Sequence, residues 1–456
     1  MVTRKRWMNL KSCTRNRSRV CLVIVTVISV YWVLTVLFPR GRFIKWKSLE
    51  LPPRDTSVKH FVKGRDGEIY MYSAWGSSSG QPEGGAGAAN DSYPLGDAVE
   101  IVVTTLDKSR VSYDCCVLYQ NLEMVYVISA RVYFRYYVTK MKLKDRFKEY
   151  FEPTFYVARQ FSCRAPVLTE GVAPSRVTLT SKGQCSTDLK DYLPVQYPKR
   201  HRGQLALCAK IAHSGGLDPI KVIEWFELQK ILGVDKILIY DMGNPASLNR
   251  LFEHYQRQGI LDRQPYELPG EPKGRSLQEP LKRTRQFIQD ETMAVLECRQ
   301  RMAGYDYVIS HDVDEMIVPR QEVTLKQFLQ DKRKQHPQSA GFYFFTQFFL
   351  TTWEPTNPEE NLMVKRYRKA TPPRWECYKY VYLPSRVYTS LTHEFFPKSY
   401  YTGTILTPEE ATLHHYRACP FDTWGTCTVY AQTDDVMKRY VDLDERVRRV
   451  REVTST

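Results

Sequence analysis

The stretch from Tyr305 to Arg320 reads YDYVISHDVDEMIVPR. Asp312, Asp314 and Glu315 stand between two apolar runs, Tyr307 to Ile309 and Met316 to Val318, and Pro319 closes the second. Side chains two apart on an extended chain point the same way, so Asp312 and Asp314 are expected to converge while Val313 turns back into the core. Two carboxylates at this spacing can share one hard divalent cation with a ligand's phosphates, because Mg²⁺ and Mn²⁺ prefer oxygen donors and rarely take an all-protein cage. An acidic triplet alone more often caps a turn or lies solvated. Its place at the carboxyl end of a hydrophobic strand is what favours the metal-diphosphate reading, since ligands of open α/β sheets gather there.

Such a strand needs a sheet around it, and the rhythm after Pro198 supplies one. Leu205 to Lys210 reads as a strand, Asp218-Pro219 as the N-cap and first-turn proline of a helix ending at Gly233, and Val234 to Tyr240 as a second strand. A helix over Pro245 to Gln258 follows, and a longer one over 285–302 leads into the acidic strand. This order predicts a mostly parallel α/β sheet over 199–440. Within the first helix Glu224 and Glu227 lie three apart on an otherwise apolar element, and the cost of unpaired buried carboxylates predicts that they bond backbone groups or a buried Lys or Arg. Residues 67–198 carry short β-rich runs (99–103, 116–119, 124–128, 177–180) and read as a small β-sandwich-like accessory domain. Residues 441–456 read as a charged C-terminal tail, and Gly/Ser/Ala-rich Ser77 to Asn90 as a flexible loop.

The N-terminus explains most of the charge. Residues 1–19 hold seven Lys or Arg and no acid, and Val20 to Phe38 is an uncharged run of 19 residues, long enough for a bilayer core of roughly 30 Å. This predicts a cytoplasmic tail (1–19), a transmembrane signal anchor (20–38), a stem (39–66) and a type II protein with its catalytic part in the lumen. Of the formal net charge of +16, eleven positive residues precede the first acid, Glu50, so the basic balance is a topology signal and gives nucleic-acid binding little support. Nine of the eleven cysteines fall in the luminal part, an odd number that leaves at least one thiol without an intramolecular partner. Cys163 with Cys185, and Cys419 with Cys427, are the pairs expected from chain proximity. Asn90-Asp91-Ser92 is the luminal glycosylation sequon.

Several ordered segments together resemble glycosyltransferase family 92: Ile223 to Asp241 (IEWFELQKILGVDKILIYD), His254 to Ile260 (HYQRQGI), Val308 to Pro319 (VISHDVDEMIVP) and Leu413 to Arg417 (LHHYR). Ile69 to Trp75 and Phe161 to Pro166 look like that family's N-terminal segment, so the resemblance spans about 69–430. It implies a GT-A fold, Rossmann-like, and an inverting transfer from a nucleotide sugar in the Golgi, most specifically β1,4-galactosyl transfer from UDP-galactose to a fucosyl or galactosyl glycan. Carried onto this chain, Asp312 and Asp314 would hold Mn²⁺ or Mg²⁺ on the diphosphate, with His415 completing the metal shell or serving as a core histidine. Lys210, Asp241, Asp312 and Arg417 would face the nucleotide. The chain departs from the family in carrying His311 before the first Asp, and Glu297 where an Asp is expected ahead of Cys298.

In an inverting transfer a side-chain base takes the acceptor's proton. Candidates are Glu394 and His393, whose THEFF segment resembles a family motif, then Glu315 and Glu354. The aromatic run Phe342 to Phe345, with Phe348 and Phe349, suits a core strand better than a sugar platform. Partners implied are the nucleotide sugar, the glycan acceptor, the membrane and a second copy of the chain. Two other readings compete: a phosphatase with a nucleophilic Asp in its acid pair, disfavoured by Glu315 directly after the second Asp, and a non-catalytic glycan-binding or scaffold protein on the same fold.

Overall fold

Two large sheets carry the molecule, with a polar helix between them. The computed structural model describes residues 41–45, 61–65, 69–78, 97–108, 111–120, 124–135, 156–168, 172–181, 183–212, 217–266, 280–322, 324–419, 425–429 and 432–454. The expected tail and anchor, most of the stem, most of the Ser77 to Asn90 loop and the sequon lie outside them. Among the described residues no helix is long and apolar enough to cross a membrane.

The first sheet has ten strands in two halves. One half contains Asp114–Tyr119, Met124–Ser129 and Pro174–Thr180; the other contains Ile69–Ser78, Ala98–Asp107 and Val157–Pro166. Leu193–Gln196 pairs with both. Met71, Ile101 and Val103 from the second half share one core with Val117, Val177 and Leu179 from the first, so the halves face each other as in a sandwich. Neighbouring side chains on a strand point to opposite faces, and this corrects the expected cysteine pairing. Cys115 turns inward and bonds Cys163 across the halves, while Cys116 turns outward and bonds Cys185. The expected Cys163–Cys185 pair is therefore not formed; Cys419–Cys427 is, and Cys208–Cys298 is a fourth bridge. Among the described residues Cys377 is the free thiol.

The second sheet has nine strands: β1 (His201–Ala212), β2 (Lys236–Asp241), β3 (Leu261–Pro265), β4 (Tyr305–Ser310), β5 (Glu315–Pro319), β6 (Ser339–Leu350), β7 (Arg374–Tyr382), β8 (Thr402–Ile405) and β9 (Ala411–Arg417). Their order is β3-β2-β1-β4-β7-β6-β9-β5, with β8 beside β6. The first four are parallel, as the strand-helix alternation predicts. The remainder is mixed, because β7 runs antiparallel to both β4 and β6, and β5 antiparallel to β9. Helices α1 (Pro219–Ile231), α2 (Ala246–Arg257), α3 (Pro280–Arg301), α4 (Leu325–Gln335) and α5 (Leu443–Thr454) complete the unit. Asp218 caps α1 by accepting the Ile220 N–H at 2.9 Å. Gly233 follows the helix at φ +90°, where any Cβ would press on Lys326 at 2.9 Å. The segment expected as a charged tail is instead the amphipathic helix α5, which buries Leu443, Val447 and Val450 and packs on α1 and α2.

Helix α3 explains its own polarity. It packs on strands of both sheets, so its polar groups are satisfied from two sides. The buried Glu297 carboxylate accepts from Trp75 Nε1 (2.9 Å) of the first sheet, from the Tyr240 hydroxyl of the second, and from Arg301 Nη2 (2.9 Å) one turn on. Gln160 Nε2 donates to the Leu296 carbonyl at 3.0 Å, and Cys208–Cys298 ties the helix to β1.

The two acids of α1 are paired as their burial requires. Glu227 accepts from Lys230 Nζ (2.8 Å) and Tyr255 Oη (3.2 Å). Glu224 accepts the backbone N–H groups of Met363 and Val364, both at 2.8 Å, which anchors the chain after β6 onto α1. Burial pushes the Glu224 carboxyl up to about 7, outweighing those two N–H donors, which favour the ionised form. A carboxyl whose folded pKa is raised contributes most below its unfolded value near 4.5 and loses that contribution as pH rises through 7. Raising pH from 5 to 8 is therefore expected to cost the fold about 2 kcal/mol through this group. Glu224→Gln, which has no proton to lose, should flatten that limb of a denaturation-versus-pH series.

Candidate active site

Strand β4 ends at Ser310 and β5 begins at Glu315, so Asp312 and Asp314 do not share an extended chain as their spacing implies. They lie in a turn that Glu315 N–H closes onto the Asp312 carbonyl at 3.1 Å. The turn is forced by topology, because β4 lies between β1 and β7 whereas β5 pairs with β9 on the far side of β6. Val313 still packs against the core. Fully buried His311 donates from Nδ1 to the Asp312 carbonyl at 2.9 Å, and Glu315 Oε2 accepts the Asp312 N–H at 2.8 Å. Burial holds the His311 imidazole neutral, its pKa lowered to about 4.

Two lysines converge on this turn. Lys210 stands where the β1–β2 register slips between Cys208 and Ile211, at φ +40°. Its ammonium meets Glu291 at 2.5 Å and Asp312 at 3.2 Å. Lys379, 2% exposed along its side chain, donates to Asp312 Oδ2 (2.9 Å) and to both Glu315 oxygens (2.8 and 2.7 Å). Desolvation alone would raise the Asp312 pKa, but Lys210 and Lys379 hold it well below the usual carboxylate range. Glu315 is lowered too, with Lys379 overcoming its burial, and the same two acids raise Lys379 against desolvation. Asp312 thus stays ionised with both oxygens engaged, which suits an electrostatic anchor and removes the freedom that a nucleophile needs.

His415 lies opposite Glu315 in the β5–β9 register. Its Nε2 is 3.3 Å from Asp314 Oδ2 and its Nδ1 is 3.3 Å from Glu315 Oε1. The Asp314 side chain is 51% exposed and that of Asp312 39%, so both border the solvent side. Among the described residues no three His, Cys, Asp or Glu side chains gather closely enough to hold a metal ion unaided. Of the expected metal ligands the fold brings together Asp314 Oδ2 and His415 Nε2, one carboxylate oxygen and one imidazole nitrogen. Such a pair fits a cation only if that cation completes its shell from a ligand's phosphates.

The other expected residues divide. His393, half-buried, donates from Nδ1 to the Tyr378 carbonyl at 2.9 Å, which fixes its tautomer and leaves Nε2 as an acceptor. Desolvation, then Lys379, lowers its pKa, with Lys210 adding to the effect, so it stands beside the cluster as a neutral imidazole. Glu394 is exposed on the same turn. Glu315 is fully buried with its oxygens taken by Lys379 and the Asp312 N–H, which leaves it no access to an incoming hydroxyl. Asp241 is also consumed: it accepts from Gly243 N (2.9 Å) and Arg263 Nε (2.6 Å), shaping the β2 end. Arg417 closes β9, its Nε donating to the Ala418 carbonyl at 3.4 Å. Glu354 is exposed in the turn after β6, whose Thr351 N–H meets the Arg417 carbonyl at 2.9 Å. Lys379 and Glu291 escape a motif reading; the available signal is a lone Lys in the aromatic and apolar run from Tyr378 to Tyr382.

The match to known proteins falls on this part of the chain. Among solved structures, a UDP-glucose pyrophosphorylase from Acinetobacter baumannii is similar at 9% identity, over 54% of this chain and 91% of that one, with a TM-score of 0.22. A UTP-bound UGPase from the same organism is similar at 11% identity, over 54% and 92%, with a TM-score of 0.20. Likenesses this slight carry no argument. No curated protein matches the chain. The family model for glycosyltransferase family 92 matches residues 217–451, just over half of the chain, and takes in the acid turn with Lys379 and His415. The chain belongs to glycosyltransferase family 92.

Proposed function

We propose that this protein transfers galactose from UDP-galactose, with inversion, to a hydroxyl of a fucosyl or galactosyl glycan, using a GT-A catalytic unit in the Golgi lumen. The observation that carries the reading is the charge arrangement beyond β4: an ionised Asp312 fixed by two lysines, beside a half-exposed Asp314 facing His415. Four disulfides among the described residues support a secretory compartment. The galactosyl donor rests on the family resemblance.

In this reading Asp314 and His415, with the lysine-bound Asp312 beside them, would hold Mn²⁺, or Mg²⁺, against the diphosphate. When bound, the ion offsets negative charge that grows on the departing UDP. Lys210 and Lys379 keep Asp312 ionised and stationary, and their positive charge adds to the field at the leaving group. His393 Nε2 takes the acceptor proton while the acceptor oxygen bonds to the anomeric carbon and the bond from that carbon to UDP breaks. The Tyr378 carbonyl holds the His393 ring through Nδ1–H before and after that transfer.

Asp314→Ala removes a side chain that the fold hardly uses, so the purified full-length variant should keep its melting temperature and lose at least about a hundredfold in transfer rate, as the wild type should in EDTA. His393→Asn, whose amide N–H takes the place of Nδ1–H, preserves a donor to Tyr378 but not the base, and is expected to lower kcat by about 10²–10⁴-fold with little change in UDP affinity. Lys379→Met leaves Glu315 buried without its cation, and thermal or urea unfolding should show a loss of about 3 kcal/mol. Full transfer by Asp314→Ala in the presence of EDTA would overturn the reading.

A further inference from the structure

Strand β7 carries extra chain next to the acid cluster. Lys379 pairs with Phe344 and Arg374 with Thr346, so five steps along β7 cover two along β6. The surplus forms a bulge in which Cys377 holds φ +51°, a left-handed conformation that a residue with a Cβ adopts only when its surroundings impose it. Bulges of this kind re-aim side chains beside active sites. Trp375 lies within this surplus.

Trp375 is 42% exposed, yet its ring is held in place. It stacks on Tyr378 at 4.1 Å and 17°, and Phe345 meets it edge-on at 5.1 Å. Tyr343 adds a third ring at 6.1 Å and is itself stacked on Phe395. The open face is therefore a rigid aromatic plane, not a loose surface side chain. It reaches the site through Tyr378, whose ring lies 6.0 Å from that of His393 and whose carbonyl holds the His393 Nδ1–H. An aromatic face carries negative charge density and attracts the polarised C–H groups of a sugar ring.

We propose that Trp375, backed by Tyr378, is the floor of an acceptor subsite that takes the C–H face of a pyranose ring in the glycan being extended. This rests on the glycosyltransferase reading above. A galactoside or fucoside suits such a floor, because its axial O4 leaves one ring face clear of hydroxyls. The aromatic run on β6 divides accordingly: Phe342, Phe344, Phe348 and Phe349 are core, and Phe345 supports the platform.

The test uses the purified full-length chain with UDP-galactose and Mn²⁺, and methyl β-galactoside and methyl α-fucoside as acceptors. Trp375→Ala is expected to raise the acceptor KM about five- to tenfold, with kcat and UDP affinity within about twofold of wild type. Trp375→Phe should recover most of the loss. Trp375→Leu, which keeps apolar bulk without a flat π face, should behave like Ala and gives the same comparison where the Ala variant does not fold. An unchanged KM in a Leu or Ala variant that still transfers overturns the subsite and leaves the transferase reading standing. Wild type that binds UDP yet transfers to neither glycoside also overturns it. Wild type that binds no UDP contradicts the transferase reading itself, and the subsite falls with it.

Discussion

A cluster of buried charge at the end of β4 constrains everything around it. Glu315 is fully enclosed, and an enclosed carboxylate is tolerable only with a cation and hydrogen bonds at hand. Lys379 supplies the cation and also reaches Asp312, so the two acids share one ammonium, and Lys210 supports Asp312 from the other side. The result is an acid turn whose inner half is neutralised within the protein and whose outer half, Asp314, is left to meet a ligand.

Bringing both lysines to that turn requires two departures from regular strand geometry. Lys210 stands at a register slip of β1 and Lys379 directly after the bulge of β7, and each irregularity holds a residue at positive φ, Lys210 and Cys377. Strain of this kind persists where surrounding structure over-determines it. The surrounding structure includes α3, wedged between the two sheets, locked to β1 by Cys208–Cys298 and supplying Glu291 to Lys210. The Glu297 that departs from the family pattern is a structural keystone of that helix, bonding Trp75 of one sheet and Tyr240 of the other.

Much of this was legible in the residues. The parallel half of the sheet, the capped helix α1 and the β-rich accessory unit follow from periodicity and cap chemistry, because local pattern and burial agree there. The pairing of Glu224 and Glu227 was legible for a different reason, since an unpaired carboxylate on an apolar helix is too costly to leave standing. The mixed half of the sheet was not legible, because β7, β6 and β9 pair across long chain separations that no local signal encodes. The same limit hid Lys379, whose partners are 64 and 67 residues away, and misled the cysteine pairing, where strand facing outranked proximity along the chain. The spacing of Asp312 and Asp314 implied an extended strand, where the fold has a turn.

The most direct measurement is an experimental structure of the full-length protein with UDP and Mn²⁺. The account predicts the diphosphate on the solvent side of Asp312 and Asp314, with His415 Nε2 turned to the ion and Lys379 still on Asp312 and Glu315. UDP bound elsewhere, or a turn whose acids touch neither ion nor phosphate, would contradict it.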